Sequence, residues 1–85
     1  MTIRMVYFAW VRERIGVGEE SVEPPASVVT VADLVDWLAE TTPGHAEAFE
    51  NRSRLRAAID QDFVALDTPI GRAHEIAIFP PVTGG

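Results

Sequence analysis

The sequence predicts an α+β fold, and three observations predict it. Short runs with strand-like alternation stand at both ends of the chain. One amphipathic helix with a capped N-terminus lies between them. Glycine or proline marks most of the junctions. The 85 residues suffice for one small domain, and 47% of them are hydrophobic, so a core can form without metal or disulfide.

Residues 2–9 alternate as a strand, with Ile3, Met5 and Tyr7 on one face and Arg4, Val6 and Phe8 on the other. Arg4 is costly to bury, so the Ile3 face meets the core and Phe8 points outward. Residues 10–15 form one or two helical turns ended by Gly16. Residues 19–22 form a second strand whose charges suit a sheet edge, stopped by Pro24-Pro25. Thr30-Val31-Ala32-Asp33 then reads as a capping box, and a helix runs from it to about Glu40. Val31, Leu34, Val35 and Leu38 make its buried stripe, bordered by Trp37, while Asp33, Asp36 and Glu40 make its solvated face. Thr41-Thr42-Pro43-Gly44 breaks the helix, and residues 45–50 form a short second one.

Residues 55–59 and 63–66 read as a hairpin about Asp60-Gln61-Asp62, with Val64 and Leu66 inward and Phe63 outward. Residues 75–79 are the last strand, with Ile76 and Ile78 inward and Phe79 outward. Strand, strand, helix, then three strands is the element order of the β-grasp arrangement, in which the first and last strands are central neighbours. The domain spans 1–79, and 80–85 form an extended C-terminal tail.

Composition excludes several kinds of chemistry. There is no cysteine, hence no disulfide, zinc–thiolate site or cysteine nucleophile. His45 and His74 stand alone in expected loops as solvated surface residues, and no metal site is expected. Gly16 and Gly18 form neither a phosphate loop nor a dinucleotide fingerprint. A net charge of −6 argues against nucleic acid as a partner and for a basic partner surface. All seven basic residues are arginine, so the chain has no lysine amine to modify. No stretch is long and apolar enough to span a membrane and no signal peptide opens the chain, which makes a cytoplasmic protein the expectation.

The unusual chemical group is the end of the chain, Phe79-Pro80-Pro81-Val82-Thr83-Gly84-Gly85. Two glycines let a backbone lie in a channel too narrow for any Cβ. The prolines favour an extended course, and six residues reach roughly 20 Å. A carboxylate must be activated before it can transfer anything, most simply as an acyl-adenylate made with ATP. A sulfur donor would convert that adenylate to a thiocarboxylate; an amine would convert it to an amide.

Three segments resemble the small subunits of molybdopterin synthase, the sulfur carriers of molybdenum-cofactor synthesis. Tyr7-Phe8-Ala9-Trp10-Val11-Arg12-Glu13 resembles the family's aromatic-Phe-Ala-x-Val/Leu-Arg-Glu segment. Ala57-Ala58-Ile59 and Leu66-Asp67-Thr68-Pro69 resemble its middle hairpin and loop. The segment from Glu75 to Gly85 resembles its terminal signature, the most specific of the three. Two departures stand out. Asp60 replaces a usual Asn, and Ala73-His74-Glu75 replaces a Gly-Asp-Glu turn, with Gly71 standing in for the missing glycine.

The resemblance implies a ubiquitin-like β-grasp fold and no cofactor bound by the domain itself. It implies that Gly85 is adenylated, at the expense of ATP, by an adenylyltransferase related to ubiquitin-activating enzymes, and that a sulfurtransferase system then makes the thiocarboxylate. The charged subunit inserts Pro80, Pro81, Val82, Thr83 and Gly84 into the large subunit of the synthase. There Gly85 donates sulfur to cyclic pyranopterin monophosphate, within a heterotetramer of two small and two large subunits. Phe8, Phe63 and Phe79 match apolar partner contacts of the family, and Arg12 matches an arginine near the partner surface. By this reading the chain is no enzyme alone but the sulfur-donor subunit of one. A carrier for thiamine synthesis or tRNA thiolation, or a ubiquitin-like protein modifier, would share the fold and the ending.

Overall fold

The computed structural model describes residues 1–81. Five strands form one mixed sheet in the order β2-β1-β5-β3-β4. They are β1 (Ile3–Tyr7), β2 (Glu19–Val22), β3 (Arg56–Ile59), β4 (Asp62–Val64) and β5 (Glu75–Phe79). The helices are α1 (Ala9–Ile15), α2 (Val31–Ala39) and α3 (Pro43–Ala48), with a 3₁₀ turn at Arg52–Arg54 that the sequence reading does not foresee. β1 and β5 run parallel at the centre of the sheet, and every other pairing is antiparallel. This is the β-grasp arrangement.

Strand parity sets the core. Ile3, Met5 and Tyr7 of β1 and Ile76 and Ile78 of β5 are buried against Val31, Leu34, Val35 and Leu38 of α2. Trp37 packs at the margin of that cluster, as its place beside the stripe predicts. Phe49 and Leu55, on either side of the 3₁₀ turn, are fully buried as well.

The N-terminus of α2 shows why the helix starts where it does. Thr30 Oγ1 accepts the Asp33 N–H, and the Asp33 carboxylate accepts the Thr30 and Val29 N–H groups, each at 3.1 Å. The Val31 and Ala32 N–H groups go to the carbonyls of Thr68 and Leu66 in the β4–β5 connection. The expected strand 63–66 ends at Val64 for the same reason: the Leu66 carbonyl serves the helix instead of a sheet ladder.

These hydrogen bonds hold the Asp33 carboxyl below the usual carboxylate range. Its contribution to stability is therefore present above the ordinary carboxyl pKa of about 4 and is lost as pH falls through the lower folded value. Asp33→Asn keeps the acceptor oxygen but cannot titrate. In thermal melts between about pH 5 and about pH 3 it should lose stability less steeply than the parent. Thr30→Ala, which removes the cap itself, should cost about 1 kcal/mol at neutral pH.

The hairpin joining β3 and β4 turns on Asp60 and Gln61, both at positive φ (47° and 76°) with no glycine. The Asp60 carboxylate accepts the His74 and Glu75 N–H groups at 3.0 and 2.9 Å, so it ties this hairpin to the start of β5. The departure from asparagine at this position thus keeps an accepting oxygen. Gly71 takes the left-handed conformation (φ 54°) in the turn that precedes β5.

Candidate functional site

The outward face of the sheet is divided by the same parity that builds the core. At one end Arg4 pairs with Glu19 and Glu75 at 3.2 and 3.7 Å. At the other end stand three phenylalanines. Phe8 follows β1 directly, Phe79 ends β5, and Phe63 is central in β4. The parallel register places Tyr7 opposite Ile78, which brings the next residues, Phe8 and Phe79, side by side. Their ring centroids lie 6.4 Å apart, edge to face, and those of Phe63 and Phe79 lie 5.7 Å apart.

Phe63 is 82% exposed and Phe8 51%, while Phe79 between them is half-buried. The three rings therefore form one patch on the surface. With Ala9, Pro80 and Pro81 they line an apolar groove of about 420 Å³. A smaller hollow of about 240 Å³ continues it between Phe63, Phe79, Val64, Ala57 and Arg56. Contiguous apolar surface of this kind is characteristic of interaction sites and ligand grooves. Pro80 and Pro81, the first residues past β5, lie half-buried against it. The expected positions Val82, Thr83, Gly84 and Gly85 fall outside the described residues.

Ala9 is a groove residue that the sequence reading does not single out. It adopts a left-handed conformation (φ 52°), turning the chain sharply between β1 and α1. A non-glycine residue held there is strained, and such strain concentrates at functional positions. No periodic signal marks it, because it is the first residue of α1, at the junction with β1. The expected strand over 2–9 accordingly stops at Tyr7, and the helix begins at Ala9. Arg12 lies exposed in the last turn of α1, with its guanidinium beside Gly18.

His45 corrects the expectation of a solvated loop residue. It sits in α3 at 5% exposure. Its Nε2 lies 2.6 Å from Glu20 Oε2, and its Nδ1 lies 2.6 Å from the hydroxyl of the α3 N-cap, Thr42. The Glu20 carboxylate can only accept, so Nε2 carries the proton of that bond. The Tyr7 hydroxyl donates to the same Glu20 oxygen at 2.7 Å. Tyr7, His45 and Phe49 also contact one another as a ring cluster, with centroids 6.1–6.3 Å apart. The network fastens β1, β2 and α3 together, below the strand end that carries Phe8. Sequence spacing misses it because its members stand far apart in the chain.

Burial raises the Tyr7 hydroxyl far above its ordinary range, and the hydrogen bond to Glu20 and the charge of Glu20 add to that. The stability linked to neutral Tyr7 is full below the unfolded tyrosine pKa of about 10 and is lost as pH rises beyond it. Tyr7→Phe should cost about 1–2 kcal/mol near neutrality through the lost hydrogen bond to a charged group. It should also flatten the alkaline loss of stability between about pH 9 and about pH 11, which urea titrations at several pH values would measure.

Among the described residues no group of three or more His, Cys, Asp or Glu side chains could hold a metal ion, and no helix is long and apolar enough to cross a membrane. Taken together, the fold and the patch describe a small β-grasp domain whose last strand leaves the sheet beside an exposed apolar groove. The ThiS family matches residues 5–85, and the chain belongs to that family. It is 39% identical to the molybdopterin synthase sulfur carrier subunit of Escherichia coli, over 98% of this chain and 99% of that protein. It is 34% identical, with the same coverage, to the subunit of that name from Haemophilus influenzae. Among solved structures, SAMP1 from Haloferax volcanii superposes with a TM-score of 0.73 at 26% identity, covering 100% of both chains. A chain in the complex of subunits 1 and 2 of the molybdopterin-converting factor from Helicobacter pylori has the same fold, with a TM-score of 0.64 at 21% identity and full coverage of both chains.

Proposed function

We propose that this chain is the sulfur carrier subunit of molybdopterin synthase in the cytoplasm. The observation that carries the reading is the position of Phe8, Phe63 and Phe79 around the end of β5, where the chain passes through Pro80-Pro81 on its way to Gly84-Gly85. A partner seated on the patch would meet the start of the tail in the same surface. The near full-length likeness to sulfur carrier subunits supports this reading over a general interaction module.

In the proposed cycle the Gly85 carboxylate attacks ATP on an adenylyltransferase, forming the acyl-adenylate and releasing pyrophosphate. Sulfur supplied by a sulfurtransferase as a persulfide displaces AMP to give an acyl disulfide. A second thiol cleaves it, leaving as a disulfide and releasing a thiocarboxylate, a good nucleophile near neutral pH. The large subunit of the synthase covers the phenylalanine patch and admits the tail. The thiocarboxylate sulfur of Gly85 bonds to cyclic pyranopterin monophosphate, and water hydrolyses the resulting thioester, so the sulfur stays on the pterin and the carboxylate returns. The domain itself supplies position: a rigid sheet end, an apolar anchor and a stiff proline spacer. The test combines thiocarboxylated chain with the large subunit and cyclic pyranopterin monophosphate and measures molybdopterin. Formation that requires both proteins is expected; formation at the same rate without this chain would reject the role.

The likeness to SAMP1, small archaeal modifier protein 1, favours a second reading in which the activated Gly85 forms amide bonds to lysines of other proteins. Covalent conjugates of the chain in cell lysates would support it. The absence of lysine means that the chain would not build lysine-linked chains of itself.

A further inference from the structure

Beside the patch lies a feature of opposite character. The guanidinium of Arg14 stacks over the Trp10 ring at 4.5 Å, and that of Arg54 reaches the same ring at 5.8 Å. Trp10 and Arg14 are one turn apart on α1, and Arg54 ends the 3₁₀ turn. With Ala48, Glu50 and Asn51 they line a hollow of about 260 Å³. Both arginines are exposed, and among the described residues neither forms an ion pair, with Glu50 at the rim or with any other carboxylate. Arg4 and Arg52, by contrast, are paired with Glu19 and Asp36. The Asn51 carboxamide oxygen is already taken by Ser53. In a chain of net charge −6, two cations without an ion-pair partner among the described residues are thus gathered on one ring.

The hollow adjoins the phenylalanine groove along two stretches of chain. Trp10 follows Ala9 of the groove, and Arg54 is two residues from Arg56, the β3 residue paired with Phe79. We propose that Trp10, Arg14 and Arg54 form a cationic ledge that receives a carboxylate-bearing segment of the protein covering the phenylalanine patch. Resting on the function proposed above, that protein is the large subunit of the synthase. The planar guanidinium forks suit bidentate recognition of carboxylates, and the indole holds them in place before the partner arrives. The ledge therefore reverses, on this flank, what net charge alone says of the partner. Its surface is acidic where it meets α1 and the 3₁₀ turn. Such a pair acts chiefly on encounter and on orientation, so its influence falls as salt screens it.

The experiment measures affinity and association rate for the large subunit with the parent chain, the double variant Arg14→Gln/Arg54→Gln, and Phe79→Ala, across rising sodium chloride. Both arginines are exposed, and unchanged thermal melts would show the double variant folded. At low salt the double variant should bind about tenfold more weakly, mainly through slower association, and should converge on the parent near 1 M salt, where the Debye length is about 3 Å. Phe79→Ala should stay weak at every salt concentration. Equal affinity of the double variant and the parent at low salt, with Phe79→Ala still weak, would overturn the ledge and leave the proposed function standing. Failure of the parent chain to bind would overturn both. A saturable shift of the Trp10 indole N–H resonance on titration with inorganic phosphate, with large-subunit affinity unaffected by the double variant, would assign the ledge to a small anion and overturn the proposal.

Discussion

Deleting Gly85 should leave binding to the large subunit nearly intact and abolish sulfur transfer. Under the proposed function the contact area comes from the patch and the tail backbone, whereas the transferred atom sits on the last carbonyl carbon alone. Removing one residue shortens the reach by about 3.5 Å. Transfer between positioned groups needs the reacting atoms within about 3–3.5 Å, so a displacement of this size takes the donor out of range. Gly84→Val should act differently, by placing a branched side chain where the tail is expected to thread a narrow channel. Its loss should appear in tail insertion, and hence in affinity as well as rate. Synthase activity and affinity, measured side by side on chemically thiolated variants, separate the two effects. Near-normal molybdopterin formation from the Gly85 deletion would contradict a carrier mechanism.

Phe79→Ala should weaken binding to the large subunit about tenfold or more while the fold survives. Phe79 is the middle ring of the patch, touching both Phe8 and Phe63, and it closes the groove where Pro80 and Pro81 begin. Burying an aromatic ring of this kind contributes roughly 1.5–3 kcal/mol, and about 1.4 kcal/mol is a factor of ten in affinity. The ring faces away from the core, whose β5 members are Ile76 and Ile78, so truncation leaves no internal cavity. Calorimetric titration against the large subunit, with a thermal melt of the variant alone, checks both parts. Unaltered affinity would remove the patch from the interface. A collapsed melting temperature would show that the ring belongs to the core.

The outward patch is legible in the sequence because strand parity is rigid. Once Arg4 is refused the interior, Phe8 must share its face; once Ile76 and Ile78 are inside, Phe79 must be outside. The same holds for α2, where Thr30, Asp33 and the Val31-Leu34-Val35-Leu38 stripe each specify one feature of the helix. Legibility fails where contacts are made between elements instead of along them. His45 reads as a lone loop histidine, yet Glu20, Tyr7 and Thr42 converge on it or its carboxylate partner from three other places in the chain. Leu66 reads as a strand residue because its side chain fits, but its carbonyl is claimed by the N-terminus of α2. Gly44 looks like a simple helix breaker. An added Cβ there would come within 2.7 Å of the Arg14 carbonyl oxygen, so the glycine also permits the close approach of α3 to α1. The ledge at Trp10 is half legible: the spacing of Trp10 and Arg14 marks one helical face, while Arg54 joins them only through the fold.

The central claim is that Gly85 carries sulfur, and intact-mass analysis tests it most directly. The chain would be incubated with a ubiquitin-activating-like adenylyltransferase, ATP and a sulfurtransferase system, then weighed whole and after fragmentation. The account predicts a gain equal to one oxygen exchanged for one sulfur, localised to Gly85 and absent when ATP is withheld. An unchanged mass in the presence of every component, or a gain localised anywhere other than Gly85, would contradict it.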